Sequence, residues 1–179
     1  PVLVDVTKDV TAMKAEFEPQ TPEAIVPYTA QITEESLTAA ADMINRAKKP
    51  YVLVGGGAVI SGAWKEVRSF VEKIQAPVAD TLMGKGVFPG TEELYTGMLG
   101  MHGTKTANYG VSQCDLLIVL GARFSDRVVG NPKKFAQNAK ILQLDIDAAE
   151  VNKTIAVDAC VIGDLKETLK RLESVVEKQ

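Results

Sequence analysis

Seven residues at positions 51–57, YVLVGGG, join an apolar strand directly to three glycines. The same order returns at 116–121 (LLIVLG) and at 159–163 (ACVIG). In each run the apolar residues are continuous rather than alternating, which is typical of strands buried on both faces of a parallel sheet. These runs therefore predict an α/β fold with helices on both faces of the sheet.

Helical patterns lie between the strands. Thr33 is a good N-cap, and Leu37, Ala41 and Ile44 follow it at helical spacing. Strands are also predicted over 77–81, 115–120 and 141–145, helices over 63–74, near 104–113, near 147–153 and over 164–177, and a glycine-rich connection over 84–103. Strands that alternate with helices form right-handed crossovers, so we predict a doubly wound, Rossmann-like domain with a mostly parallel sheet.

The first 32 residues differ from the rest. A strand is predicted over 2–6, and Pro19, Pro22 and Pro27 then indicate a linker. A domain rarely begins with a bare buried strand, so we expect the chain to be a piece of a longer polypeptide. The predicted division is residues 1–32 as the end of a preceding domain with its linker, and residues 33–179 as one domain.

Composition excludes two classes of partner. The formal net charge is −3 and the basic residues are scattered, whereas nucleic-acid binding needs a concentrated basic face. The longest apolar runs are too short to span a bilayer. We therefore expect neither a nucleic-acid partner nor a membrane.

The only cysteines are Cys114 and Cys160. Each lies beside apolar sequence, which predicts reduced core residues in a cytoplasmic protein, although a disulfide between them stays open. One histidine and two separated cysteines make no recognisable metal site.

The ends of the predicted strands are rich in glycine and aspartate, at 55–57, 81–83, 121–123, 145–147 and 163–165. Ligands of open parallel sheets bind beyond the carboxyl ends of the strands, where glycine lets the backbone approach a phosphate and aspartate accepts ribose hydroxyls. Any one of these glycines is explained as well by a tight turn. Five such turns at one edge favour a nucleotide site.

Standard phosphate motifs are absent. Residues 55–60 lack the third glycine of the dinucleotide fingerprint, and residues 84–86 lack the Ser or Thr of a P-loop. Arg123 is a candidate for pairing with a phosphate and Arg127 for reaching a substrate carboxylate, while a surface salt bridge with Asp126 is the alternative.

The most distinctive segment is GMLGMHGT at 97–104, which interleaves three glycines with large side chains and the single histidine. A flat aromatic ligand would fit against such a surface, because methionine sulfur adapts to a ring. A flexible loop with a histidine that does nothing explains it equally well.

Four segments together resemble one family. GMLGMHGT (97–104), GARFSDRV (121–128), DIDAAEVNK (145–153) and PVLVDVTKDV (1–10) are similar to the central domain, and the end of the first domain, of biosynthetic acetolactate synthase. This is the large catalytic subunit of acetohydroxyacid synthase.

The resemblance implies a three-domain enzyme that uses thiamine diphosphate and Mg2+, decarboxylates pyruvate, and condenses the product with pyruvate or 2-ketobutyrate in branched-chain amino acid synthesis. It implies a homodimer or tetramer, a small regulatory subunit, contacts with neighbouring domains, and a central domain of the DHS-like type that binds FAD without net redox change.

Carried over by motif, the residues that would contact FAD are Gly55, Gly56, Gly57, Thr81, Leu82, Leu99, Gly100, Met101, His102, Gly121, Arg123, Asp126, Val128, Asp145, Ile146, Gly163 and Asp164. The adenosine end would lie near Asp145 and Asp164, and the ring end near Met101 and His102. Arg127 would face the substrate.

Some family features differ or lie elsewhere. Ser125 stands where the family has an aspartate, Ala148 where it has a proline, and no arginine precedes Arg46. The thiamine-activating Glu belongs to the first domain and the Gly-Asp-Gly magnesium motif to the third, and this chain has no Gly-Asp-Gly. We therefore expect no catalytic residue set and no acetolactate synthase activity in this chain alone.

Two alternatives remain. One lies within the thiamine enzymes: glyoxylate carboligase, oxalyl-CoA decarboxylase or catabolic acetolactate synthase. The other is a free-standing nucleotide-binding or regulatory module.

Overall fold

The computed structural model describes residues 3–16, 18 and 31–178, which contain a six-stranded sheet. The strands are β1 (Pro50–Val54), β2 (Val78–Asp80), β3 (Tyr95–Met98), β4 (Leu116–Leu120), β5 (Lys140–Asp145) and β6 (Ala159–Ile162). Their order is β3-β2-β1-β4-β5-β6, and every pairing is parallel. The predicted doubly wound, parallel fold is confirmed.

Helices cover both faces of this sheet. The described helices are α1 (Lys8–Thr11), which buries no residue, α2 (Glu34–Arg46), α3 (Gly56–Ile60), α4 (Trp64–Ile74), α5 (Lys105–Gln113), α6 (Asp126–Val129) and α7 (Leu165–Val175), with short 3-10 helices at Leu82–Gly84, Pro132–Lys134 and Ala148–Glu150. The apolar faces of α2, α4 and α7 form one buried cluster with alternate strand residues, and α5 packs in a second cluster on the other face.

The central strands are buried as their continuous apolar pattern predicts. In β1, Val52 and Val54 belong to the first cluster, while Tyr51 and Leu53 belong to the second. Every residue of β1 and β4 is buried. The two strands pair in register, with Val52 opposite Ile118, which brings the turns that follow them to the same edge.

Helix α2 begins where the sequence predicts. The Thr33 side chain accepts a hydrogen bond from the backbone N–H of Ser36 at 3.1 Å, which satisfies one of the unpaired amides of the first turn. Its buried residues are those at helical spacing, among them Leu37 and Ile44.

Strand β3 lies inside the stretch predicted as a connection, so that part of the prediction was wrong. It is a short edge strand interrupted by Gly97, whose φ of 100° is outside the normal strand range. Its register against β2 shifts between Val78 and Ala79. Glycine weakens a strand and often marks a bulge, which explains why the pattern indicated a loop.

The strand predicted over 2–6 is not formed by the described residues 3–6, and Val2 lies outside the described residues. Leu3 and Val4 are 95% and 76% exposed. A strand needs a neighbour for its backbone groups, and the six described strands pair only with one another. Most of the predicted linker, including Pro19, Pro22 and Pro27, also lies outside the described residues.

Strand β6 is less buried than its apolar run predicts. It lies at the sheet edge, and within it only Val161 is fully buried. Cys160 is accordingly half-buried rather than a core residue, whereas Cys114 is buried; both are free thiols. Burial raises the pKa of the Cys114 thiol to about 11.

Among the described residues, no helix is both long and apolar enough to cross a membrane.

Candidate functional site

A cleft of about 480 Å3 opens at the carboxyl edge of the sheet. It lies where the strand order reverses between β1 and β4, the usual ligand position in open α/β sheets. Its lining residues are Gly56, Gly57, Ile60, Thr81, Leu82, Met83, Gly121, Ala122, Arg123, Ser125, Arg127, Val128, Asp145, Ile146, Asp147 and Glu150. The structure thus brings together residues that follow β2, β1, β4 and β5.

The floor of the cleft is backbone against backbone. The Gly57 N–H donates to the Gly121 carbonyl at 2.9 Å. A Cβ on Gly57 would lie 2.9 Å from the Gly121 Cα, and Gly121 itself has a φ of 58°. Gly55 is buried against Gly121 and Ala122, so its lack of a side chain allows the two turns to pack together. Glycine is required here because the turns that follow β1 and β4 approach each other closely, and the cleft opens above them.

One end of the cleft is apolar. Leu82 and Met83 are 70% and 73% exposed, and Ile60 at the end of α3 is 89% exposed. The 3-10 helix that carries Leu82 is capped by Thr81, whose hydroxyl oxygen accepts from the Gly84 N–H at 3.2 Å. Large apolar side chains held in solvent beside a cleft are typical of a binding surface.

The middle of the cleft is basic. Arg123 and Arg127 both line it, and neither guanidinium has a hydrogen bond or ion pair within the described residues. Asp126 accepts from the Arg127 backbone N–H at 2.9 Å and points to no described arginine side chain. The surface salt bridge considered above is therefore not formed, and both arginines are available to an anion.

The other end of the cleft is acidic. Asp145 is 8% exposed, and its carboxylate accepts from the Asp147 N–H at 3.1 Å and from the Gln143 side chain at 3.4 Å. Asp147 caps the next 3-10 helix, and Glu150 pairs with Lys153 at 2.7 Å. Asp145 is thus fixed by its neighbours and retains lone pairs for a hydroxyl donor.

The glycine-rich segment 97–104 lies beside the cleft but not in its lining. Leu99 is buried, whereas Met101 and His102 are exposed. The Met101 N–H donates to the Arg127 carbonyl at 2.9 Å, which places this loop against the basic middle of the cleft.

Gly163 and Asp164 are outside the cleft lining as well, because β6 is one strand farther out than β5. The Gly163 N–H donates to the Asp145 carbonyl at 2.9 Å, and Asp164 caps α7 by accepting from the Glu167 N–H at 3.1 Å. Both contacts are structural.

Six lining residues were not among the predicted contacts: Ile60, Met83, Ala122, Ser125, Asp147 and Glu150. Met83, Ala122 and Asp147 lie in the strand-end segments that the sequence singled out. Ser125 and Glu150 begin and end short helical turns, which have too little periodicity to be placed from sequence.

A buried acid, Asp80, directly precedes the Thr81–Met83 segment of the apolar end. Asp80, at the end of β2, accepts from the Tyr95 hydroxyl at 2.8 Å and lies 3.6 Å from the Lys85 ammonium group. The hydrogen bond with Tyr95 and the charge of Asp80 raise the pKa of Lys85, and desolvation followed by the bond to Asp80 raises the pKa of Tyr95. The hydrogen bond between Tyr95 and Asp80 ties β3 to β2.

Comparisons with known proteins agree on one group. The family model described as "Thiamine pyrophosphate enzyme, central domain" matches residues 37–172. The acetolactate synthase large subunit of Parasynechococcus marenigrum is 42% identical over 98% of the chain and 29% of its own length. The isozyme 1 large subunit of Escherichia coli is 42% identical over 100% of the chain and 32% of its own length.

A solved structure gives the same result. An X-ray structure of a putative thiamin diphosphate-dependent enzyme from Mycobacterium smegmatis superposes with a TM-score of 0.74 at 26% identity, covering 90% of this chain and 31% of that one. The chain therefore spans about a third of the length of the proteins that it matches.

Proposed function

Because the chain belongs to the thiamine pyrophosphate enzyme central-domain family, we propose that it is the central domain of an acetolactate synthase large subunit and that its cleft holds FAD. The relatives named above support the first part. The second part rests on one observation, the order of chemistry along the cleft: apolar after β2, basic after β4 and acidic after β5.

That order fits a flavin dinucleotide. An apolar surface suits the flavin ring, unpaired arginines suit a diphosphate, and a fixed buried aspartate suits a ribose hydroxyl. A Cβ on Gly57 or Gly121 would collide with backbone at the floor, so glycine keeps the middle of the cleft open. The residues present therefore fit the group.

Specific donors follow from the hydrogen bonds already formed. The Gly57 N–H is used by Gly121, so the donors that remain for a diphosphate include Arg123 and the N–H of Gly56, the first residue of α3. Leu82 would lie against the ring, with Met101 and His102 beyond it, and Asp145 would accept from the ribose. Bound FAD would supply an extended anionic ligand that completes the domain without net redox change.

The whole protein would decarboxylate pyruvate and condense the two-carbon product with a second 2-keto acid. Thiamine diphosphate and Mg2+ would be bound by domains outside this chain, with residues 33–179 as the FAD-binding domain. Arg127 would face the substrate from the cleft rim. Both relatives are named as large subunits, which supports a smaller regulatory partner, and a homodimer or tetramer completes the proposal.

A titration of the purified chain with FAD tests the cleft. Arg123→Ala removes a charged donor and is expected to weaken FAD binding about tenfold to a hundredfold, as loss of a hydrogen bond from a charged group does. The matched control is Arg46→Ala, an exposed arginine paired with Asp42 on the opposite edge of the sheet, which leaves the Kd unchanged. Failure of the wild-type chain to bind FAD, or equal affinity in both variants, contradicts the proposal.

A further inference from the structure

Two loops that come from distant strands meet at the cleft rim. Residues 99–103 follow β3, and residues 123–128 follow β4, with β2 and β1 lying between these strands in the sheet. They are joined by the hydrogen bond from the Met101 N–H to the Arg127 carbonyl at 2.9 Å. They are also in close contact, since a Cβ on Gly100 would lie 2.9 Å from the Val128 Cα.

Gly100 is the point on which this contact depends, and its conformation is an unusual one. Its φ is 108°, a value that side-chain-bearing residues rarely adopt. A glycine in a loop loses much conformational freedom on being fixed, so something must hold it.

The Asn108 side chain holds it from α5. Its carbonyl oxygen accepts from the Gly100 N–H at 3.3 Å, and its amide nitrogen donates to the Gly100 carbonyl at 3.1 Å. The same nitrogen donates to the Thr104 carbonyl at 2.9 Å. Of the side chains, only Asn and Gln carry an amide that can satisfy both groups of one residue in this way.

Helix α5 gives Asn108 a rigid base. Ala107 and Val111 bury its inner face, and Thr104 caps its first turn by accepting from the Ala107 N–H at 3.0 Å. Asn108 itself is exposed, so water replaces its contacts when the side chain is removed. Its loss should therefore free the loop more than it destabilises the fold.

We propose that Asn108 is a positioning residue that fixes the 99–103 loop against the Arg127 segment, and so sets the affinity of the cleft for FAD. The FAD part rests on the function proposed above. Asn108 acts through Gly100 and is not among the residues that line the cleft.

The test compares Asn108→Ala with Asn138→Ala in the full chain. Asn138 is also exposed and also donates to a backbone carbonyl, that of Ser112 at 3.4 Å, but it lies at the opposite edge of the sheet. Asn108→Ala is expected to raise the Kd for FAD about tenfold, as loss of roughly one net hydrogen bond does, with a changed visible circular dichroism of bound flavin. Asn138→Ala should leave both unchanged.

A conservative variant separates positioning from general damage. Asn108→Asp retains the acceptor for the Gly100 N–H and loses the donors to Gly100 and Thr104, so its Kd should fall between those of wild type and Asn108→Ala. Equal melting temperatures across the series are part of the expected result.

Amide hydrogen exchange decides the loop contact without FAD. In Asn108→Ala, peptides covering 99–104 and 123–129 should exchange faster while the rest of α5 keeps its protection. Wild-type exchange in both loops would overturn the proposal, as would a uniform loss of protection through α5. A wild-type chain that fails to bind FAD defeats the proposed function, and the exchange result then decides the role of Asn108 by itself.

Discussion

The middle and the flanks of the carboxyl edge are built in different ways. In the middle, the turns at 55–57 and 121–123 meet backbone to backbone, with hydrogen bonds between main-chain groups and no room for a Cβ at Gly55, Gly57 or Gly121. On the flanks, Leu82 and Asp145 line the cleft with their side chains. The difference teaches that a change in the middle alters the fold and the cleft together, whereas a change on a flank acts mainly on binding.

The strongest way to test the middle is Gly121→Ala. Its φ of 58° penalises a side chain, and the new Cβ would meet the Gly57 Cα at 2.8 Å and the Ala58 nitrogen at 3.0 Å. We expect a loss of about 2–4 kcal/mol in the free energy of unfolding, from the left-handed conformation and the forced contact. Urea denaturation measures it.

Gly62→Ala is the matched control for that loss. Gly62 has a φ of 63°, but nothing lies within 4 Å of the position of its Cβ. It should cost only the conformational part, about 1–2 kcal/mol. Equal losses in the two variants would show that the close approach of Gly121 to Gly57 adds no steric cost for a Cβ.

Asp145→Asn tests the acidic flank. The amide cannot accept on both atoms, so a ribose hydroxyl loses its charged acceptor, while the shape of the side chain is kept. FAD affinity should fall about tenfold, whereas FMN, which has no adenosine, should change by less than about twofold. Asp42→Asn on the opposite edge serves as the control. A parallel loss for FAD and FMN would place the adenosine somewhere else.

The same division explains what the sequence could predict. The middle could be predicted from the sequence because β1 and β4 are continuous apolar runs that are followed by glycine, and parallel strands end at one edge. Gly56, Gly57, Gly121 and Arg123 all line the cleft as their positions indicate.

The flanks could be predicted less well from the sequence. Gly163 and Asp164 end a strand at the same edge, but sequence does not show that β6 is the outermost strand, one strand farther from the cleft lining than β5. Gly97 interrupts the strand pattern of β3, so that strand was not predicted. The apolar run at 3–6 resembled a strand, although no described strand pairs with it. Neighbours in the sheet decide these cases, and they are set by packing rather than by local pattern.

Met101→Ala should have the smallest effect. Met101 is 70% exposed, so stability should change by no more than about 0.5 kcal/mol. Loss of a sulfur contact with the flavin ring should weaken FAD binding about threefold. Met13→Ala is matched in exposure, also at 70%, and lies far along the chain from the cleft residues. Identical FAD affinity in the two variants would remove Met101 from the ring end.

The strand order also affects the order in which parts of the domain fold. Val52 pairs on one side with Val78 and on the other with Ile118, a partner 66 positions later in the chain. Bringing such distant segments together costs loop-closure entropy before any contact between the strands offsets that cost. Parallel sheets fold slowly for this reason. During synthesis, β1, β2 and β3 all emerge before β4. These three strands can therefore pair early, while the side of β1 that pairs with β4 stays unpaired. The binding cleft, which needs both halves, can exist only after that slow closure.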